Sequence, residues 1–315
     1  MNRKAIIFGI KGTRLSIRER TFLKKVKPWG IILFSRNIES IEQLKNLTNQ
    51  IKNIFNDRKY PILVDQEGGA VCRLNKIIDL SLFSNDFFGK LYKKNKKLLS
   101  NYYAIYIDTL SDIFKKTGIN INTAPVLDVR TIGGHKIIGN RSFSSNPYTV
   151  SKLGRLMISL FNKNRVGTVI KHIPGHGKAI KDSHMNLSII NSERNELIKK
   201  DFLPFKLSQS FFAMTAHIIY KAYDPINTAT HSKTIINEVI RKHIGFTGVL
   251  ISDDISMKAL KFDIKTNSIK ALNAGCNLVL HCNANIDEMN QLSKIIPNID
   301  NFTQKKTSDF YKFLG

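Results

Sequence analysis

Short apolar runs alternate along the chain with longer segments whose apolar residues recur at helical spacing, a pattern that predicts repeated βα units and a parallel sheet. Eight runs read as strands: Ala5–Ile10, Gly30–Phe34, Pro61–Asp65, Ile119–Leu127, Gly167–His172, Ala213–His217, Gly248–Ser252 and Gly275–His281. Between them Ile41–Phe55 places Ile41, Leu44, Leu47, Ile51 and Ile54 near one helical face. Further helices are expected near Lys97–Lys115, Pro147–Asn164, Glu196–Ser208 and Ser232–His243. Eight parallel strands can close on themselves, whereas a doubly wound sheet would have fewer strands and usually a phosphate-binding glycine loop. No G-x-G-x-x-G or P-loop occurs. The expected fold is therefore α/β, a single-domain TIM (β/α)8 barrel over residues 1–315, since no linker rich in Gly, Pro or Ser divides the 315 residues.

Composition narrows the class. The apolar fraction of 42% is ample for a packed core, and no apolar stretch approaches a membrane span. The run Ala5–Ile10 is too short for a secretory signal and reads better as a first strand. Cys72, Cys276 and Cys282 show no C-x-x-C spacing and cannot all pair within one chain, which suggests reduced thiols and a cytoplasmic location. A formal charge of +25 invites nucleic acid as a partner, but the lysines are spread along the whole chain with abundant Asn and Ile. The densest run, Lys93, Lys94, Lys96 and Lys97, fits a solvated helix face, and no nucleic-acid-binding motif accompanies it. No nucleic-acid and no membrane partner is expected.

Candidate chemistry clusters at strand ends, where a barrel builds its active site. Val64-Asp65-Gln66-Glu67-Gly68-Gly69, followed by Arg73, closes the third strand with acceptors and a glycine pair. The alternative is a polar turn with one carboxylate capping a helix. Lys171-His172-Ile173-Pro174-Gly175-His176-Gly177 leads on to Asp182-Ser183-His184. His172 and His176 have the spacing of a helical zinc pair, but Pro174, Gly175 and Gly177 oppose a helix there and H-E-x-x-H is absent, so no metal is expected. Asp182 and His184 read as a dyad in which the carboxylate orients the imidazole for proton exchange; the plain alternative is a solvated loop histidine. Gly248–Ser252 ends in Asp253 and Asp254, an apolar strand presenting a candidate catalytic carboxylate, with Asp254 open to a capping role. Gly139-Asn140-Arg141 offers a cation in another rim loop.

At these residues the sequence resembles glycoside hydrolase family 3, in its NagZ-type β-N-acetylglucosaminidase branch of peptidoglycan recycling. VDQEGG, NINTAPVLDV, GNRSF, KHIPGHG with DSH, MTAHIIY, GVLISDDISM and AGCNLVLHCN carry the resemblance, in order, through about Asn283. The resemblance implies Asp253 as the nucleophile of a covalent glycosyl-enzyme, His184 as general acid/base and Asp182 as its partner. It implies that Asp65, Arg73, Arg141, Lys171 and His172 hold the N-acetylglucosamine ring. A histidine in place of the second carboxylic acid departs from the usual retaining pair. It needs little tuning, because its pKa lies near the operating pH.

Ala70 stands where arginine is common in the family, Cys72 where glutamine is common and Ile173 where phenylalanine is usual; DSH is not followed by the frequent proline. These departures bear on affinity and loop mobility. About thirty residues follow the eighth strand, which implies the form without a second α/β domain. The expected function is exo-hydrolysis of terminal β-linked N-acetylglucosamine from GlcNAc-1,6-anhydroMurNAc muropeptides. The expected enzyme is a monomer acting on a small glycan without a cofactor. A phosphorolytic or β-glucosidase-like relative and a non-catalytic sugar-binding protein are the alternatives; the DSH dyad argues against the plain glucosidase.

Overall fold

The computed structural model describes residues 2–131, 138–178 and 187–315. Eight parallel strands close a barrel in the order β1-β10-β9-β7-β5-β4-β3-β2. They are β1 (Lys4–Gly9), β2 (Pro28–Leu33), β3 (Ile62–Val64), β4 (Ile121–Asn122), β5 (Gly167–Ile173), β7 (Phe212–Thr215), β9 (Val249–Asp254) and β10 (Leu278–His281). The expected TIM barrel is the fold. Its strands are unbroken apolar runs, and β2 and β5 are buried at every residue. This follows from side chains that meet barrel filling on one face and helices on the other. Pairing is in register across the closure, with Ile7 opposite Leu280 in β10 and Gly30 in β2.

Ten α-helices are described: α1 (Ile17–Val26), α2 (Ile41–Phe55), α3 (Asn85–Lys94), α4 (Lys96–Thr117), α5 (Pro147–Lys163), α6 (Arg194–Lys199), α7 (Leu203–Lys206), α8 (Ile264–Ala274), α9 (Ile286–Ile295) and α10 (Asn301–Leu314). The predicted helix over Glu196–Ser208 is two short helices, because Pro204 cannot donate a backbone hydrogen bond and restarts the helix at its first turn. The segment expected from Ser232 turns helical at Lys233 and runs as a π-helix over Ile235–His243. The run read as one long strand over Ile119–Leu127 ladders only at Ile121–Asn122, with a single bridge from Val126 to Lys171. Ala124–Leu127 instead curves over the rim, where the Leu127 N–H donates to the Lys171 carbonyl at 2.7 Å.

The run expected as Ala213–His217 also divides. After β7 the chain leaves the barrel, and β8 (Ile218–Tyr220) pairs with β6 (Ser188–Ile190) in a separate two-stranded sheet. Lys93, Lys94, Lys96 and Lys97 are exposed where α3 meets α4, as expected of a solvated run. At the N-terminal end of the barrel, Trp29 Nε1 donates to Thr307 Oγ1 at 2.9 Å, and the Phe310 ring packs edge-on against Phe212. Helix α10 thus closes that end, leaving the carboxyl ends of the strands for chemistry. Among the described residues no helix is long and apolar enough to cross a membrane.

Candidate active site

The turn out of β3 is fixed before any charged group is considered. Asn122 on β4 accepts from the Gln66 N–H and donates to the Gln66 carbonyl, at 3.1 and 2.9 Å. The Gln66 side-chain oxygen accepts from the Arg73 and Leu74 N–H groups. Gly68 takes φ +90° with the Phe83 carbonyl 2.3 Å from where a Cβ would stand, so only glycine fits the turn. The result aims Asp65 and Glu67, two residues apart, into the same cluster of cations.

Asp65 accepts from Lys171 Nζ at 2.5 Å, Arg73 Nη2 at 2.7 Å and Thr123 Oγ1 at 2.7 Å. Glu67 takes both prongs of Arg141 at 2.7 Å and lies 2.6 Å from Lys171 Nζ. Burial alone would raise the carboxyls of Asp65 and Glu67, but Lys171 and Arg73 on the one, and Arg141 and Lys171 on the other, hold both below the ordinary range. Lys171 is buried as well, which would lower it; Asp65 and Glu67 outweigh that and keep the ammonium charged. Three strand ends are thereby tied by alternating charges, with each ion compensated by geometry that a buried ion requires.

Asp128, fully buried after β4, continues the chain of contacts. Its Oδ2 lies 2.7 Å from His172 Nδ1, and its Oδ1 accepts from the backbone N–H of His172 and of His176 at 3.2 and 2.7 Å. Burial opposes its charge, but His172 and His176 hold the carboxyl at about 2. The other ring nitrogen of His172 lies 3.4 Å from Arg141 Nη2. His176 is itself buried, and burial together with neighbouring His172 pushes its imidazole down to about 4, so it is neutral at physiological pH.

Strand β9 brings the two adjacent acids. Asp254 is taken up locally: its carboxylate accepts from the Ser256 N–H and hydroxyl and from the Cys282 N–H, and its carbonyl accepts from His217 Nε2 at 3.0 Å. Asp253 Oδ1 accepts from the Asp254 N–H at 2.8 Å, and the side chain lines the cleft. Both acids line the cavity, and they differ in what holds them: the Asp254 carboxylate is engaged by the turn that follows, whereas Asp253 takes a contact from the adjacent backbone N–H.

The cavity at the barrel mouth, ≈ 170 Å³, is lined by Asp253, Asp65, Arg73, Arg141, Lys171 and His172, with Phe34, Met214 and Met257 among the apolar walls. Six of the eight expected site residues therefore meet in one place. Asp182 and His184 lie outside the described residues. Sequence reading left Asp128 and His217 without a role, although APVLDV and MTAHIIY both end strand-like runs at the rim, which was the available signal. The overall charge of +25 does not extend to this cavity, where Asp65, Asp253 and Asp254 face Arg73, Arg141 and Lys171. Among the described residues no group of three His, Cys, Asp or Glu side chains is placed to hold a metal ion.

The family model for the glycosyl hydrolase family 3 N terminal domain matches residues 7–309. The chain belongs to glycoside hydrolase family 3. A beta-hexosaminidase of Hydrogenovibrio crunogenus is 35% identical over 92% of this chain and 82% of its own length. One from Alkalilimnicola ehrlichii is also 35% identical, over 88% and 80%. The crystal structure of NagZ from Neisseria gonorrhoeae in complex with N-trifluoroacetyl-D-glucosamine superposes with a TM-score of 0.87 at 30% identity, covering 100% of this chain and 90% of that one. As a glycoside hydrolase of the beta-hexosaminidase type, the chain acts on glycans.

Proposed function

We propose that this glycosidase is a retaining exo-β-N-acetylglucosaminidase that removes terminal N-acetylglucosamine from GlcNAc-1,6-anhydroMurNAc muropeptides. The observation that carries the reading is the single cavity in which Asp253 faces Asp65, Arg73, Arg141, Lys171 and His172. Carboxylate acceptors and cationic donors suit a ring crowded with hydroxyls and an amide, and the Asp253 carboxylate in the same cavity suits attack at its anomeric carbon.

In the first displacement an Asp253 oxygen bonds to C1 as the bond from C1 to the leaving oxygen breaks, and His184 gives that oxygen a proton. In the second, water bonds to C1, its proton passes to His184, and Asp253 departs as a carboxylate. Asp182 orients the His184 ring. The ion pairs of Asp65 and Glu67 hold Lys171, Arg73 and Arg141 rigid before substrate arrives, so little ordering remains at binding. We further propose that residues 1–315 act as one catalytic domain, as a monomer in the cytoplasm. Three free cysteines suit a reducing compartment.

Hydrolysis of an aryl β-N-acetylglucosaminide, with the β-glucoside left intact, is the test. Asp253→Ala abolishes turnover, whereas Asp254→Ala, which removes a turn contact, retains more of it. Proton NMR of the first-formed sugar shows the β-anomer, and anhydromuropeptides release N-acetylglucosamine. No aryl alcohol from folded protein at high concentration would refute the hydrolase reading, and an α-anomer would refute retention.

A further inference from the structure

The Asp128 carboxylate has no face on the cavity, yet it holds a residue that does. It is wholly buried, and its oxygens take the ring Nδ1 of His172 at 2.7 Å and two backbone N–H groups, of His172 and His176, at 3.2 and 2.7 Å. A carboxylate only accepts, so His172 Nδ1 carries the proton in this contact. When the ring is neutral, the lone pair then lies on Nε2, which points at the Arg141 guanidinium 3.4 Å away. One acid after β4 thereby dictates the tautomer of a cavity-lining imidazole at the end of β5, and through it the approach of Arg141.

We propose that Asp128 is a positioning residue for the sugar site: it imposes the Nδ1–H tautomer on His172 and so keeps the Arg141–His172 pair aimed at the bound ring. This inference rests on the reading of the cavity as an N-acetylglucosamine site. The substitution that isolates the effect is Asp128→Asn, which preserves shape and puts an uncharged NH2 donor in place of the second acceptor oxygen. If the amide oxygen keeps the two backbone N–H groups, its NH2 faces His172 Nδ1 and the ring proton must move to Nε2. There it meets an Arg141 N–H, donor against donor. If the amide flips instead, its NH2 opposes two backbone donors. Arg141 cannot yield, because both its prongs are engaged by Glu67 at 2.7 Å. The imidazole must turn away.

Two measurements test this. Imidazole ¹⁵N shifts, with the His172 signals assigned by their loss in His172→Gln, show the Nδ1–H tautomer in the unaltered protein and the Nε2–H tautomer in Asp128→Asn. Calorimetry with N-acetylglucosamine shows affinity falling roughly 30-fold or more in the variant, the scale expected when one partner of a buried charged hydrogen bond is removed. An Nε2–H tautomer in the unaltered protein overturns the proposal even if the variant does not fold. A folded variant with unchanged tautomer, or with affinity within about threefold, overturns it too; a merely structural acid would lower thermal stability without moving either readout. If the unaltered protein binds no N-acetylglucosamine while its His172 shows the Nδ1–H tautomer, the functional reading fails and the role of Asp128 toward His172 stands.

Discussion

Removing one charge, Glu67→Gln, tests whether the barrel mouth is held by its ion network. Glu67 has 2% of its side chain exposed and takes three contacts from cations: two prongs of Arg141 at 2.7 Å and Lys171 Nζ at 2.6 Å. Glutamine has one acceptor oxygen, so at least one cation then faces an NH2 group. Arg141 and Lys171 are 13% and 3% exposed and cannot recover water cheaply. Breaking a buried pair from one side costs about 3–5 kcal/mol. At roughly 2 °C per kcal/mol for a chain of this size, the melting temperature falls by roughly 6–10 °C.

The pH dependence has a definite sign. Folding lowers the Glu67 pKa, so its stabilisation is complete above the ordinary carboxylate value and is lost as pH falls below it toward the folded value. The variant lacks this proton uptake, and its acid limb is shallower by up to about 1.4 kcal/mol per pH unit. Because Arg141 and Lys171 line the cavity, kcat/KM also falls, by about 10²-fold for loss of fixed geometry. Differential scanning calorimetry from pH 3 to 8 alongside aryl-glycoside kinetics reads all three effects. A melting temperature within about 2 °C of the parent, with an unchanged acid limb, would refute the claim that this network holds the site.

Two further outcomes follow from the same reasoning. His184→Ala slows substrates with poor leaving groups by about 10²- to 10⁴-fold and spares activated aryl glycosides, since only the former need protonation; equal losses across leaving groups would exclude an acid role. Asp201 is fully buried with Lys178 Nζ 3.5 Å away, and burial pushes its carboxyl up to about 6. A pKa raised on folding means that ionised Asp201 opposes folding, with the full penalty above the folded pKa and none below the unfolded one. Asp201→Asn therefore gains about 1–3 kcal/mol at pH 8, and the gain shrinks as pH falls toward 4, as read by thermal melts. A loss at every pH would show that the Lys178 contact outweighs the desolvation.

The amino-acid sequence by itself determined the barrel and most of the residues that line its mouth. A strand buried on both faces must be apolar, so Val64 leads straight into Asp65, and Ile251, after one serine, into Asp253, and polarity at such an end marks the rim. Asp65, Lys171, His172 and Asp253 stood out as cavity candidates for that reason, Arg73 and Arg141 as cations in loops beside them, and the ordered motifs around them carried the family. Local pattern could not say how two adjacent acids differ in their partners. What distinguishes them is tertiary: the Asp254 carboxylate takes the N–H of Cys282, just past β10, and its carbonyl takes His217 after β7, both distant in the chain, although both acids line the cleft.

Only the tertiary structure decided that Glu67 and Asp128 are structural anions of the site, because a carboxylate's role depends on which cations closure of the barrel brings to it. Arg141 reaches Glu67 from 74 positions away and Lys171 reaches Asp65 from 106. The division of the run near residue 217 into a barrel strand and a separate small sheet was likewise invisible locally, since its apolar composition suits either pairing. Periodicity records which faces are buried; it does not record what they are buried against.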